Sequence, residues 1–204
     1  MKTVASIRRP GLAELVSGIA EITARRPGLQ EAADAVAVLL RERLPTEDLL
    51  TEQERAGSPD GYVSHVLHAQ DDFSIAAVVW RPGQETVIHD HVSWCTFGIL
   101  SGIEYETLYR DEGDHLVEIG HAENRPGEVS GFAPPGDIHQ VRNTSAVTGV
   151  SVHVYGADLR KLGSSIRRTY DIPVRRSADP CLNPSRSAGR AAGSGSRARP
   201  PRTA

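Results

Sequence analysis

The stretch Thr86–Gly102, TVIHDHVSWCTFGILSG, sets His89 and His91 two residues apart, directly ahead of Trp94 and Cys95. In an extended segment, residues i and i+2 project from one face, so both imidazoles point to the same side of a sheet. That is the geometry a metal ion asks of two neighbouring ligands. Alone the pair is weak, because two surface residues on one strand share the spacing. A third His comes later, in PPGDIHQVRN (134–143), where Pro134 and Gly136 form a tight turn and His139 begins a strand.

Around these segments, short runs rich in Val, Ile, Tyr and Trp alternate with turn residues. They are YVSHVLHA, FSIAAVVW, CTFGIL, IEYETLY, HLVEIG, EVSGFA and GVSVHVYG. Many short strands without intervening helices predict an antiparallel barrel or sandwich. RRTYDIPV (167–174) is read as one further edge strand. Ahead of the strands, Leu12, Leu15, Val16 and Ile19, then Leu29, Ala32, Ala33, Val36, Leu39 and Leu40, recur at helical spacing. Pro27-Gly28 divides this region into two helices and Pro45 stops the second, which predicts a helical cap against the sheet without chemistry of its own.

With 204 residues, 39% of them hydrophobic, the chain suits one globular domain. No apolar run has the length of a membrane span and the first residues lack a signal-peptide core, so the expectation is a cytoplasmic protein with no membrane partner. Two cysteines, Cys95 and Cys181, do not make a disulfide framework. The net charge of −3 is uneven: Arg175 to Ala204 holds seven Arg against one Asp, about +6, leaving the rest near −9. That end is also Gly, Ser and Pro throughout, which predicts disorder. The expected organisation is therefore a helical cap over 1–60, a β-barrel over 61–175 and a disordered tail over 176–204. Trp80 and Trp94 read as core or pocket wall, and no interleaving of aromatic and basic residues supports nucleic-acid binding.

The two His segments resemble the paired motifs of the cupin superfamily. Gly83, His89, His91, Cys95 and Gly102 fall on the first, with Cys95 where that motif has Glu. Pro134, Gly136, His139 and Asn143 fall on the second, whose leading Gly is displaced. The resemblance implies a mainly β fold, the cupin double-stranded β-helix or jelly-roll-like barrel, with the N-terminal helices packed outside. Three neutral imidazoles without a carboxylate leave the +2 charge of a first-row metal uncompensated. Such a centre attracts an anionic ligand, and a substrate thiolate suits it because metal binding strips the thiol proton.

A three-His site with Cys at the Cys95 position is similar to the thiol dioxygenases, of which cysteine dioxygenase is the type. The resemblance runs from about Tyr62 to Tyr155, through IHDHVSWC, LSGIEYETLY and SVHVYG. It implies Fe(II) on His89, His91 and His139, and oxidation of a small thiol, L-cysteine or a mercapto acid, by O₂ to the sulfinic acid. In SVHVY, Ser151, His153 and Tyr155 occupy alternate positions and share one strand face, with Val152 and Val154 on the other. A structural network would explain three such polar groups; the resemblance implies instead a relay aiming the Tyr155 hydroxyl at substrate and oxygen. It also implies that Cys95 and Tyr155 can be joined by a thioether, whereas free Cys otherwise packs as a small hydrophobe.

One departure concerns the substrate. The family's carboxylate-binding Arg stands two residues after a strand Tyr; counted from Tyr62, that position is Ser64. Arg142, Arg160, Arg167 and Arg168 are the candidate replacements. His65 and His68, at odd spacing on one strand, are expected to face opposite sides. The partners expected are a small-molecule thiol and O₂, with the chain a monomer or homodimer. Another metal-dependent cupin chemistry, or a ligand-sensing cupin without turnover, remains open at this point.

Overall fold

The computed structural model describes residues 7–176. The expected tail beyond Arg176, with Cys181, lies outside the described residues. Helices α1 (Leu12–Thr23) and α2 (Leu29–Glu42) come first, followed by a 3₁₀ turn (Glu47–Leu49) and one turn of helix, α3 (Glu52–Arg55). Eleven strands follow: β1 (Val63–Gln70), β2 (Phe73–Trp80), β3 (His89–His91), β4 (Cys95–Ser101), β5 (Glu104–Asp111), β6 (Leu116–Asn124), β7 (Val129–Phe132), β8 (His139–Asn143), β9 (Gly149–Tyr155), β10 (Ile166–Thr169) and β11 (Val174–Arg176). A short helix, α4 (Leu159–Leu162), separates β9 from β10.

The strands make two sheets, ordered β1-β2-β9-β4-β7 and β10-β3-β8-β5-β6-β11. They form the expected mainly β, jelly-roll-like fold, although the two sheets do not close into one continuous barrel. RRTYDIPV is not the single edge strand expected. Its first part pairs antiparallel with β3 and its last part pairs parallel with β6. Tyr170–Pro173 crosses between them, which no local pattern encodes.

Every residue of β2 and β9 is buried, so both strands are packed on both faces. Phe73, Ile75, Ala77 and Val79 of β2, with Val150, Val152 and Val154 of β9, form the outer core with Leu15, Ile19, Val36 and Leu40 of the helices. Each of these Val, Leu, Ile and Phe side chains contributes about 1.5–3 kcal/mol by leaving water. Thr96 fixes the layer spacing by donating to the Ala33 carbonyl at 2.9 Å. The alternate residues, Ser151, His153 and Tyr155 among them, are thereby turned to the space between the sheets.

Two glycines hold the chain where the metal motifs need it. Gly102 has φ 78°, and a Cβ there would stand 2.6 Å from the Gly149 Cα. Gly136, with φ 95°, turns the chain three residues ahead of His139. His65 and His68 depart from expectation. A bulge between Val66 and His68 sets them opposite Ala77 and Ile75, so both stand on the outer face, and His68 Nε2 lies 3.0 Å from Gln70 Oε1.

Candidate metal centre

His89 and His91 leave one face of β3, and His89 stands in register with His139 at the start of β8. All three imidazoles are buried, and their candidate ligand atoms lie within 4.8 Å of one another. The Nε2 atoms of His89 and His139 are 3.3 Å apart. On the other side of each ring, Nδ1 has its own acceptor: the Val87 carbonyl at 2.9 Å from His89, Asp137 Oδ2 at 3.1 Å from His91, and Glu106 Oε1 at 2.6 Å from His139. An Nδ1 proton used in this way leaves the Nε2 lone pair toward the common point. The donor set fits a divalent first-row metal with open positions.

Electrostatics keeps His89 and His91 in the ligand form. Burial, then the charges of His139 and His91, pushes the His89 pKa down to about 3. Burial also lowers His91, against the pull of Asp137. For Asp137, burial acts to raise the pKa, but the ring and backbone N–H of His91 outweigh it and the carboxyl is lowered.

Next to the three His, β9 presents the expected polar row. Tyr155 Oη lies 3.3 Å from His153 Nδ1, and His153 Nε2 lies 2.9 Å from Ser151 Oγ. His153, neutral, bridges the two hydroxyls, one ring nitrogen donating and the other accepting. The Trp80 indole N–H also donates to Ser151 Oγ, at 3.2 Å. Burial drives His153 to about 3 and holds Tyr155 well above the ordinary phenol value. The row therefore consists of neutral groups. Cys95 is free and buried, its sulfur 3.9 Å from His153 Nδ1, and burial together with Glu106 raises its thiol pKa well above normal.

The three His share one cavity of about 190 Å³ with His153 and Tyr155 of this row, and its walls also include Phe97, Phe132 and Val141. Ser64 lines it, as does Trp80, while Trp94 belongs to the outer core. None of the four candidate arginines does. Arg142 is exposed on β8; Arg160 bonds the Ala69 carbonyl and Asp158; Arg167 is paired with Asp90; Arg168 reaches Asp111 and covers the Tyr170 ring.

The cysteine dioxygenase type I family model matches residues 54–165, more than half of the chain. The chain belongs to that family. Solved structures with a similar fold include a sugar phosphate isomerase of the cupin superfamily from Silicibacter pomeroyi, 24% identical over 47% of this chain and 59% of that one, with a TM-score of 0.36. A recombinant oxalate oxidase in complex with glycolate is 18% identical over 49% and 53%, with a TM-score of 0.39. A protein with a double-stranded β-helix domain from Klebsiella pneumoniae is 19% identical over 53% and 84%, with a TM-score of 0.43. The chain thus spans less than two thirds of the first two, and likenesses at this level bear on neither substrate nor reaction.

In this cysteine dioxygenase family member, sequence reasoning missed the carboxylates around the His residues. Glu106 and Asp137 hold two imidazoles, and Glu104, two residues before Glu106, lines the cavity. Glu104 and Glu106 alternate on one strand face as Ser151 and His153 do, but their partners are fixed only by packing of β5 against β8. Ser165, which acts to lower the Tyr155 pKa, comes from the loop before β10 and carried no local signal.

Proposed function

We propose that this member of the cysteine dioxygenase type I family is a mononuclear non-haem Fe(II) thiol dioxygenase. The observation that carries the reading is the convergence of His89, His91 and His139 with all three Nδ1 atoms already bonded. These three residues would hold the iron, with the jelly-roll strands over 61–175 as its scaffold and the described part of the 1–60 segment, residues 7–60, as a cap. Bound there, Fe(II) supplies open positions for a thiolate and O₂ and the electronic coupling between them. The overall change is balanced as thiol plus O₂ giving sulfinic acid: sulfur gains two oxygen atoms and loses four electrons, which reduce O₂.

The chain's own side chains provide the surroundings. Tyr155 keeps its proton at Oη, because burial opposes the phenolate, and so serves as a hydrogen-bond donor beside the reacting atoms. His153 and Ser151 hold that hydroxyl in place from behind. Phe97, Phe132, Val78 and Val141 make an apolar wall that keeps bulk water from the sulfur. Cys95 stands beside the row and, with its thiol pKa raised, remains protonated.

The test is to load purified protein with Fe(II) without air and follow O₂ consumption across a panel of small thiols. Uptake with a thiol, matched by its sulfinic acid in mass spectrometry and absent in His139→Ala, is the expected result. Full iron occupancy with no thiol consumed would overturn the reading in favour of another cupin chemistry.

A further inference from the structure

The cavity beside the three His has an unusual balance of charge for a site meant to take a small acid. Among the described residues, no Lys or Arg lines it, and Glu104 is the one carboxyl that does. Glu104 is 1% exposed. Its Oε1 has no hydrogen-bond partner among the described residues. The neighbouring inward carboxylate, Glu106, is spent on His139, whereas Glu104 meets only the neutral hydroxyl of Ser151 and the indole N–H of Trp80.

The sheet register shows which part of the cavity this is. Ser64 pairs with Val78, and Val78 pairs with Ser151, so the three form one row across β1, β2 and β9. Glu104 faces the Ser151 end of that row from the opposite sheet, and Ser64 and Trp80 line the same space. A ligand lying along the row with its sulfur toward the His residues meets a carboxyl and no cation.

We propose that the thiol taken by this pocket carries an ammonium group and no carboxylate, with Glu104 as the counter-ion. This rests on the thiol dioxygenase reading and narrows it to a substrate class. A carboxylate without a counter-charge is costly in an apolar cavity, and a cation in hydrogen-bond contact offsets that cost. A carboxylate-bearing thiol instead adds a second negative charge with nothing to balance it. Burial, joined by the charge of Glu106, raises the Glu104 carboxyl to about 7, despite Ser151 and Trp80, so an approaching ammonium finds a group whose anion is not yet stabilised.

The experiment uses the Fe(II)-loaded full chain and compares kcat/KM for cysteamine, cysteine methyl ester, 2-mercaptoethanol, L-cysteine and 3-mercaptopropionate. Cysteamine is expected to exceed 2-mercaptoethanol by about tenfold, as a charged hydrogen bond allows, and 3-mercaptopropionate by more. Glu104→Gln should bring the cysteamine to 2-mercaptoethanol ratio close to one, chiefly through KM, with iron content unchanged. On wild-type protein, which needs no variant to fold, ethylammonium should compete with cysteamine where propionate does not. A preference for L-cysteine or 3-mercaptopropionate, equal use of the neutral thiol, or competition by propionate alone would overturn the proposal while the dioxygenase reading stood. Absence of uptake with every thiol would overturn both.

Discussion

Cys95 and Tyr155 are direct partners in the antiparallel pairing of β4 with β9, and both turn inward beside the His cluster. Their side chains meet at one ring nitrogen, His153 Nδ1, with the Tyr155 hydroxyl at 3.3 Å and the Cys95 sulfur at 3.9 Å. Tyr155→Phe removes the hydroxyl and keeps the ring. Turnover is expected to fall about a hundredfold. Iron content, measured by elemental analysis, should not change. Full activity in this variant would mean that the row is structural.

The carboxylates behind the imidazoles make a separate prediction. Asp137→Asn and Glu106→Gln keep the shape but weaken the acceptor for His91 and His139. Each should lower iron affinity by about 10- to 100-fold, read by competition with a chelator. Affinity equal to wild type in both would show that the rings are held by packing alone.

Acid should unfold the metal-free protein early. His89 and His153 have folded pKa values of about 3 because both are buried, whereas an unfolded His titrates near 6.5. Between those limits the unfolded chain binds protons that the native state refuses. Stability therefore rises with pH across this window and is lost as pH falls from about 6.5 toward 3. The slope is up to about 1.4 kcal/mol per pH unit for each residue. Glu104, raised to about 7, works in the opposite sense and offsets the two rings near pH 7, so urea midpoints should decline chiefly between about pH 6 and 5; no decline over that step would contradict the burial of these two rings.

Gly102 and Gly136 both have positive φ, but only Gly102 is crowded by backbone. Gly102→Ala should cost more than 2 kcal/mol, roughly, because strain and a clash with Gly149 combine. Gly136→Ala meets open space and should cost about 1 kcal/mol from strain alone. Thermal unfolding of the two variants gives the comparison directly.

The sequence was most readable where the pattern is local. Alternation in SVHVY assigned Ser151, His153 and Tyr155 to one face because β9 is buried on both sides and needs two chemistries. The spacing of His89, His91 and His139 survives in the fold because a three-residue strand and a strand start simply preserve it. What escaped depends on contacts far apart in the chain: the pairing of Glu106 with His139, the exposure of Glu104 to the cavity, and the crossing of RRTYDIPV between β3 and β6. A single bulge also reversed the relation of His65 to His68, since one extra residue changes the parity of a strand.

β9 is bonded to β2 along one edge and to β4 along the other, with no residue open to water. β3, by contrast, meets β8 through one residue pair and is otherwise covered by the short β10. Backbone amides of β9 should therefore exchange with deuterium only when the whole molecule opens, while those of β3 exchange through smaller excursions. The centre thus joins a durable half to an openable one. Mild destabilisation would release the ligand set while the tyrosine row stayed intact.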